Sequence, residues 1–395
     1  MVKKVLIKMI LLLFLCLILM VFCSSFPINT DKNSSVYSEH MVYISKDLPI
    51  APELIAYIED FAASSAAALG CPEKTEFTVV EVYTLKKFTS SDTYTLFLFE
   101  DGEHAVYDNA SGVVEELCVD DSGLVGMLDS RKEYYYAGPG NFVVKENEAL
   151  YELRSHTQLT HSDVVIASRN ESRVNRVRES EKTDLQLDSA NIAQKTEKLI
   201  DNSPYFFGLL SSDQFCDKTR GTGIHTATAI FLGYYDYYEY DGLINSKYHY
   251  KENGERKPGT TCSYISEIQS IVGENESSFP SIFSAIKEYL DYLEYLDLLP
   301  KEENRNVCYA ANSAQYIFNL VMEVMDKEQP VVLEMRVSAD ESMNRYVVAY
   351  GYKEITAQSG VTKMYYVQTG SENPLRSTYS HAWFGACMYI DISLE

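Results

Sequence analysis

Cys216 stands seven residues ahead of Gly223, where a Gly-Thr-Gly run opens a helical pattern, and is a candidate nucleophile. A thiol hydrolase needs a thiolate, a base, an orienting group and an oxyanion donor. The thiolate is best placed at a helix N-terminus, where unpaired N–H groups and the macrodipole lower its pKa. The base, usually His, comes from a strand facing that helix, and an amide or acid on the next strand fixes its tautomer. His225 and His381 are candidate bases for Cys216, and Gln214 is a candidate oxyanion donor. Each has a bland alternative: a disulfide or buried thiol for Cys216, a surface amide for Gln214, packed side chains for both His. Cys216 also precedes the helix and so misses its dipole. Gly-x-Ser-x-Gly and Cys-x-x-Cys are both absent and the seven His are scattered, so neither a serine elbow nor a structural zinc site has support. No cofactor and no metal is expected.

The elements that would hold such a set are read from periodicity. Residues 226–238 predict a buried helix with Ala227, Ile230, Phe231 and Tyr234 on one face. Residues 278–296 and 312–327 predict two more helices, the last ended by Pro330, and strands follow at 331–335, 346–351 and 364–368. In the first half, 49–68 predicts a helix with Leu54, Ile58 and Phe61 at helical spacing, stopped by Gly70. Strands are expected at 77–82, 94–99, 104–107 and 113–117, with a turn at Asp101-Gly102. Both halves therefore read as α+β, helices packed on an antiparallel sheet. At 395 residues, two domains and a connector are the default. The polar stretch 166–200 is the expected linker between a 40–165 domain and a 201–395 domain, and limited proteolysis is expected there first. Its Arg173, Arg176 and Arg178 are either protease targets or solvated charges.

The N-terminus is a separate object. Lys3, Lys4 and Lys8 precede an apolar run over 9–22, 14 residues long, then Cys23-Ser24-Ser25. That is the length of a signal-peptide core and short of the roughly 20 residues a spanning helix needs. Cleavage after Ser25 and export are expected, with an uncleaved anchor as the alternative. Bulky Phe22 argues against a lipid-modified Cys23. Loss of the three Lys takes the net charge from −23 to −26, and no basic stripe remains, which argues against nucleic acid or anionic lipid as partners. Six Cys would remain (Cys71, Cys118, Cys216, Cys262, Cys308 and Cys387), an even count that permits disulfides outside the cell.

Several motifs occur in an order that resembles a known family. The run Gly221 to Asp236, ending Leu232-Gly233-Tyr234-Tyr235-Asp236, is similar to the active-site helix of papain-like cysteine peptidases of the bacteriocin-leader-processing kind. Arg345 to Tyr352 resembles that family's His-Ala-Val-Val-Ala-Tyr-Gly-Tyr strand, preceded by Pro330-Val331-Val332. Tyr365 to Ser371 resembles the strand carrying the orienting Asn or His, and Ser380-His381-Ala382-Trp383 the Ser-His-Val-Trp close. Gly102 to Asp108 and Tyr134 to Phe142 resemble a streptopain-like prodomain. The resemblance implies a papain-like domain over 201–395 preceded by a prodomain that packs on it. It also places the nucleophile, base and orienter at Gly223, Arg345 and Gln368, which should then converge. Gly223 has no side chain, and Arg345 stays protonated and accepts no proton. The resemblance thus implies a pseudopeptidase that binds peptide or protein in its groove or regulates a partner, with the Arg345 charge either favouring an acidic or C-terminal carboxylate ligand or pairing with a nearby surface acid. An active thiol peptidase built on Cys216 is the alternative, and a cell-envelope structural protein a third reading.

Overall fold

Continuous and alternating apolar runs set the strands, and short polar turns join them. The computed structural model describes residues 43–44, 50–120, 122–185, 194–207, 209, 223–272, 279–295, 305–335, 345–357, 360–370 and 376–392. Segment 1–25, Gln214, Cys216 and residues 186–193 of the expected connector lie outside the described residues. The protein is α+β, with a large, mostly antiparallel sheet and helices on its faces.

The first half opens with β1 (Tyr43–Ile44) and α1 (Pro52–Ala66). Helix α1 buries Ile58, Phe61, Ala62, Ser65 and Ala66, and its chain stops at Gly70 in the left-handed region, as the sequence anticipates. Strands β2 (Val79–Lys86), β3 (Thr93–Phe99), β4 (His104–Asp108), β5 (Val113–Cys118), β6 (Glu133–Tyr136), β7 (Phe142–Glu146) and β8 (Ala149–Glu152) follow. Helix α2 (His161–Leu185) and β9 (Gln194–Leu199) lead into the second half. That half contains α3 (Pro204–Phe207), α4 (Gly223–Tyr238), β10 (His249–Glu252), β11 (Glu255–Thr260), α5 (Cys262–Val272) and α6 (Phe279–Tyr295). It closes with β12 (Arg305–Ala311), α7 (Ala314–Met325), β13 (Val331–Met335), β14 (Arg345–Ala357), β15 (Gly360–Gln368), β16 (Arg376–Ser380) and β17 (Ala386–Ile392).

Among the described residues fifteen strands form one sheet, in the order β12-β17-β13-β14-β15-β16-β5-β4-β3-β2-β6-β7-β8, with β1 added on β2 and β9 on β14. The ladders β1–β2 and β2–β6 are parallel. β10 and β11 make a separate hairpin. The two halves meet inside the sheet: β16 pairs with β5 through Ser377↔Cys118, Thr378↔Leu117 and Tyr379↔Glu116. Residues 42–395 form one compact unit.

The described part of the expected linker is a correction. Residues 161–185 are one helix of 25 residues, not an irregular connector. Its buried positions, Ala167, Asn170, Glu171, Val174, Arg178 and Glu181, recur every three or four residues, which is one face of a helix. Four of those six are polar, so composition read as solvated what is in fact inward-facing and paired. Arg173 and Arg178 are bonded to the sheet layer, Arg173 to Trp383 O and Arg178 to Glu115 and Ser380.

A second polar group lies deep in the core. Lys353 of β14 is fully buried; its Nζ donates to Ser65 Oγ at 2.9 Å and sits 4.5 Å from the centre of the Phe61 ring. Burial pushes its ammonium down to about 8, against the opposing charge of Glu197. Lys353→Met should therefore stabilise the protein by about 1–3 kcal/mol at neutral pH, because a buried charge without a full counter-charge is replaced by a matching apolar stem. The unfolded lysine titrates near 10.4, so between about pH 8 and 10.4 the unfolded chain binds more protons than the folded one. Wild-type stability should rise relative to the variant across that window. Urea melts of both proteins at pH 7.5 and pH 10 measure it.

Candidate functional site

Helix α4 starts at Gly223, which is exposed, and every residue from Ile224 to Asp236 is buried. Its first turn packs against the end of β15. Gly370 has φ +67°, and a Cβ there would stand 2.6 Å from Thr226 Cγ2 and 3.1 Å from Ile230 Cδ1, so only glycine fits this corner. Two residues earlier, Gln368 is fully buried and satisfies itself locally. Its Nε2 donates to Phe206 O at 3.1 Å, and its Oε1 accepts from Gly370 N at 3.1 Å. Phe206 stacks between Tyr234 of α4 and Tyr350 of β14, which ties the amide to the α4 side of the sheet.

Arg345 leaves by the other side. Gln368 is paired with Val348, and paired residues share a face. The register with β13 is regular from Arg345 to Ala349, so Arg345, three residues from Val348, points to the opposite face. There its Nε donates to Asn141 Oδ1 at 3.0 Å and its Nη2 to Gly140 O at 2.8 Å. Gly140 has φ +68°, and a Cβ on it would lie 2.6 Å from Arg345 Nη1. The β14 side chain next to Arg345 that does share the Gln368 face is Tyr346, whose hydroxyl meets Glu334 Oε1 at 3.2 Å. The structure thus brings the α4 start and Gln368 to one face and takes the Arg345 side chain away from them. The expected three-way convergence is not what the registers give.

A buried polar cluster surrounds the Arg345 head instead. Glu116 of β5 is fully buried; its Oε2 accepts from Gly140 N at 2.8 Å and Tyr136 Oη at 3.1 Å, and its Oε1 lies 3.1 Å from His104 Nε2. Burial pushes the Glu116 carboxyl up, but His104, the Gly140 N–H and the Arg345 charge together hold it below its ordinary value. Next to this cluster, Trp383 packs against Gly138, and its Nε1 donates to Glu115 Oε2 at 3.0 Å.

The two candidate bases stand on different faces. His225, in the first turn of α4, is 2 % exposed; burial lowers its pKa, and neither ring nitrogen has a partner among the described residues. His381 is fully buried beside Phe318 of α7, at 5.2 Å between ring centres. Phe318 also packs on Tyr365, three residues before Gln368 on β15, so His381 belongs to the face opposite α4. One thiol cannot use both. Cys71, Cys118 and Cys387 are buried, and burial pushes each thiol up, that of Cys387 to about 12. Among the described residues no group of three or more His, Cys, Asp or Glu could hold a metal ion, and no helix is long and apolar enough to cross a membrane.

Sequence reasoning missed Glu115, Glu116, His104 and Glu181. The available signal was Glu115-Glu116 inside the apolar strand Val113–Cys118, since two acids in a strand interior require buried partners. Set against known protein families, curated proteins and solved structures, the chain finds no match.

Proposed function

We propose that this is an exported, papain-like binding or regulatory protein that has no acyl-transfer chemistry of its own and takes a peptide or protein segment as its ligand. The observation that carries the reading is the α4 corner. A helix start packs on the end of β15, with an amide at Gln368, but the helix begins on Gly223 and the neighbouring strand sends Arg345 to the other face. A hydrolase lacking both nucleophile and base keeps only the small catalysis of binding and oxyanion donors. Arg345 is engaged by Gly140 and Asn141, so it does not select an acidic or C-terminal carboxylate ligand. In this reading the first half acts as a prodomain-like partner of the second, and segment 1–25 is the export signal, with the protein secreted or held at the cell surface.

The test is an assay of the protein lacking residues 1–25 on a mixed peptide library, with an epoxide thiol probe in parallel. We expect no cleavage, no activity-dependent labelling, and retention of a peptide subset by the immobilised protein. Gly223→Cys combined with Arg345→His should stay inactive as well, because the new imidazole would leave by the wrong face. Cleavage by the unmodified protein that is abolished in Cys216→Ala would sink the proposal and establish the Cys216 peptidase reading.

A further inference from the structure

The face of the sheet opposite α4 is crossed by α2, and what holds the helix there is mainly charge. Near its middle, Glu171 accepts from Phe88 N at 2.6 Å and Thr89 N at 3.2 Å. Arg173 donates to Trp383 O, and Arg178 bridges Glu115 at 3.3 Å, Ser380 and Glu181 at 3.0 Å. Glu181 in turn lies 3.5 Å from Lys363 Nζ and 3.3 Å from His381 Nε2. Among the described side chains of the helix the buried apolar ones are Ala167 and Val174, with Val177 partly buried against the core. Detaching its C-terminal turns would therefore expose little apolar surface, and the attachment stands or falls with the ion network.

We propose that α2 is an acid-released strap, in which a proton taken up by His381 detaches the Arg178–Glu181 segment from the sheet. Among the described residues the charges facing His381 are few. From α2 they are Glu181 and Arg178, and from β15 Lys363, whose Nζ also donates to Gln315 Oε1 of α7 at 2.7 Å. From β5, Glu115 acts through Arg178, and α7 otherwise presents the Phe318 ring. His381 Nδ1 meets Lys363 O at 3.3 Å, while Nε2 and Glu181 Oε1 are close without the alignment of a hydrogen bond. A neutral ring is thus tolerated. A charged ring would be the third positive group around one carboxylate, in a buried site where charge is weakly screened. Burial and the positive charges of Arg178 and Lys363 hold the His381 pKa well below the ordinary value. Its folded pKa is depressed, so below about pH 6.5 the detached form binds the proton better, and each further pH unit shifts the attached-to-detached ratio by up to tenfold. Glu116 stays ionised in this window, its carboxyl being held low.

The chain carries its own reporter, because its single Trp is Trp383, bonded to Glu115 and to Arg173. In the full chain we expect a reversible red shift of Trp383 emission between pH 7.5 and 5, with the far-ultraviolet sheet signal retained. Amide exchange over residues 173–181, corrected for intrinsic rate, should accelerate at least tenfold across the same range. His381→Gln should abolish both changes. His225 shares the titration window but lies on the other face and should leave the Trp383 signal alone. Should His381→Gln fail to fold, Glu181→Gln decides, since loss of the counter-charge should move the midpoint to higher pH. The proposal falls if exchange in wild-type α2 is unchanged between pH 7.5 and 5, or if the red shift coincides with loss of the whole fold. It falls equally if the step survives in His381→Gln, or if Glu181→Gln leaves the midpoint where it was.

Discussion

Arg178→Met should destabilise the folded chain by about 3–5 kcal/mol, read as a fall in the urea midpoint at unchanged slope. Arg178 is 3 % exposed and faces two carboxylates, Glu115, which is fully buried, and Glu181, which is 6 % exposed. Taking the guanidinium away leaves both acids buried without their main counter-charge. The loss should be carried by the stranded carboxylates rather than by the missing bonds, and a second change tests that. Glu115→Gln in the Arg178→Met background should recover part of the stability, because the new amide oxygen could still accept from Trp383 Nε1 without carrying charge. A surface pair gives the contrast: Arg131 binds Asp129 at 2.7 Å, yet its side chain is 86 % exposed. Arg131→Ala should change stability by less than about 0.5 kcal/mol. Equal effects at the two sites would mean that the α2 network is not buried in solution.

Much of the framework was legible because it rests on patterns with a fixed period. The helices expected at 278–296 and 312–327 are α6 and α7 to within two residues, and the expected strands at 331–335, 346–351 and 364–368 fall on β13, β14 and β15. The Gly70 stop of α1 was legible for the same reason, since glycine there meets a left-handed backbone requirement. Helix α2 was not legible, because its inward face is written in Asn170, Glu171, Arg178 and Glu181, residues that composition assigns to water. The union of the halves through β5 and β16 also left no local trace, since strand partners far apart in sequence are chosen by packing. At the candidate site the gap is one of parity. Motif order can place Arg345 at the start of a strand, but only the register with β13 and β15 shows which face its side chain takes.

Glu116→Ala should cost roughly 3–5 kcal/mol, a loss as large as that expected at Arg178, for a different reason. Among the described residues Glu116 is the acceptor for both the Gly140 N–H and the Tyr136 hydroxyl, it faces His104, and its charge balances Arg345 across the Gly138–Asn141 turn. Alanine strands two donors and one positive charge at once. Glutamine at the same position keeps the shape and one acceptor oxygen but drops the charge, so it should cost less, on the order of 1–3 kcal/mol. The pH dependence separates the charge from the shape. The folded pKa of Glu116 is depressed, so its contribution is complete above the unfolded Glu value of about 4.3 and is lost as pH falls through the lower folded value. The stability gap between wild type and Glu116→Gln should therefore be widest near neutral pH and close as the solution is acidified below about pH 4. Glu116→Ala removes the acceptor and frees the Gly140 N–H, so in that variant Arg345 should lose its fixed seat on Gly140 and Asn141. In proton spectra this would appear as loss of a slowly exchanging Arg345 Nε–H signal in the variant. A gap that stays constant from pH 7 to pH 3 would show that Glu116 holds the turn by packing alone, and that the charge on Arg345 is balanced elsewhere.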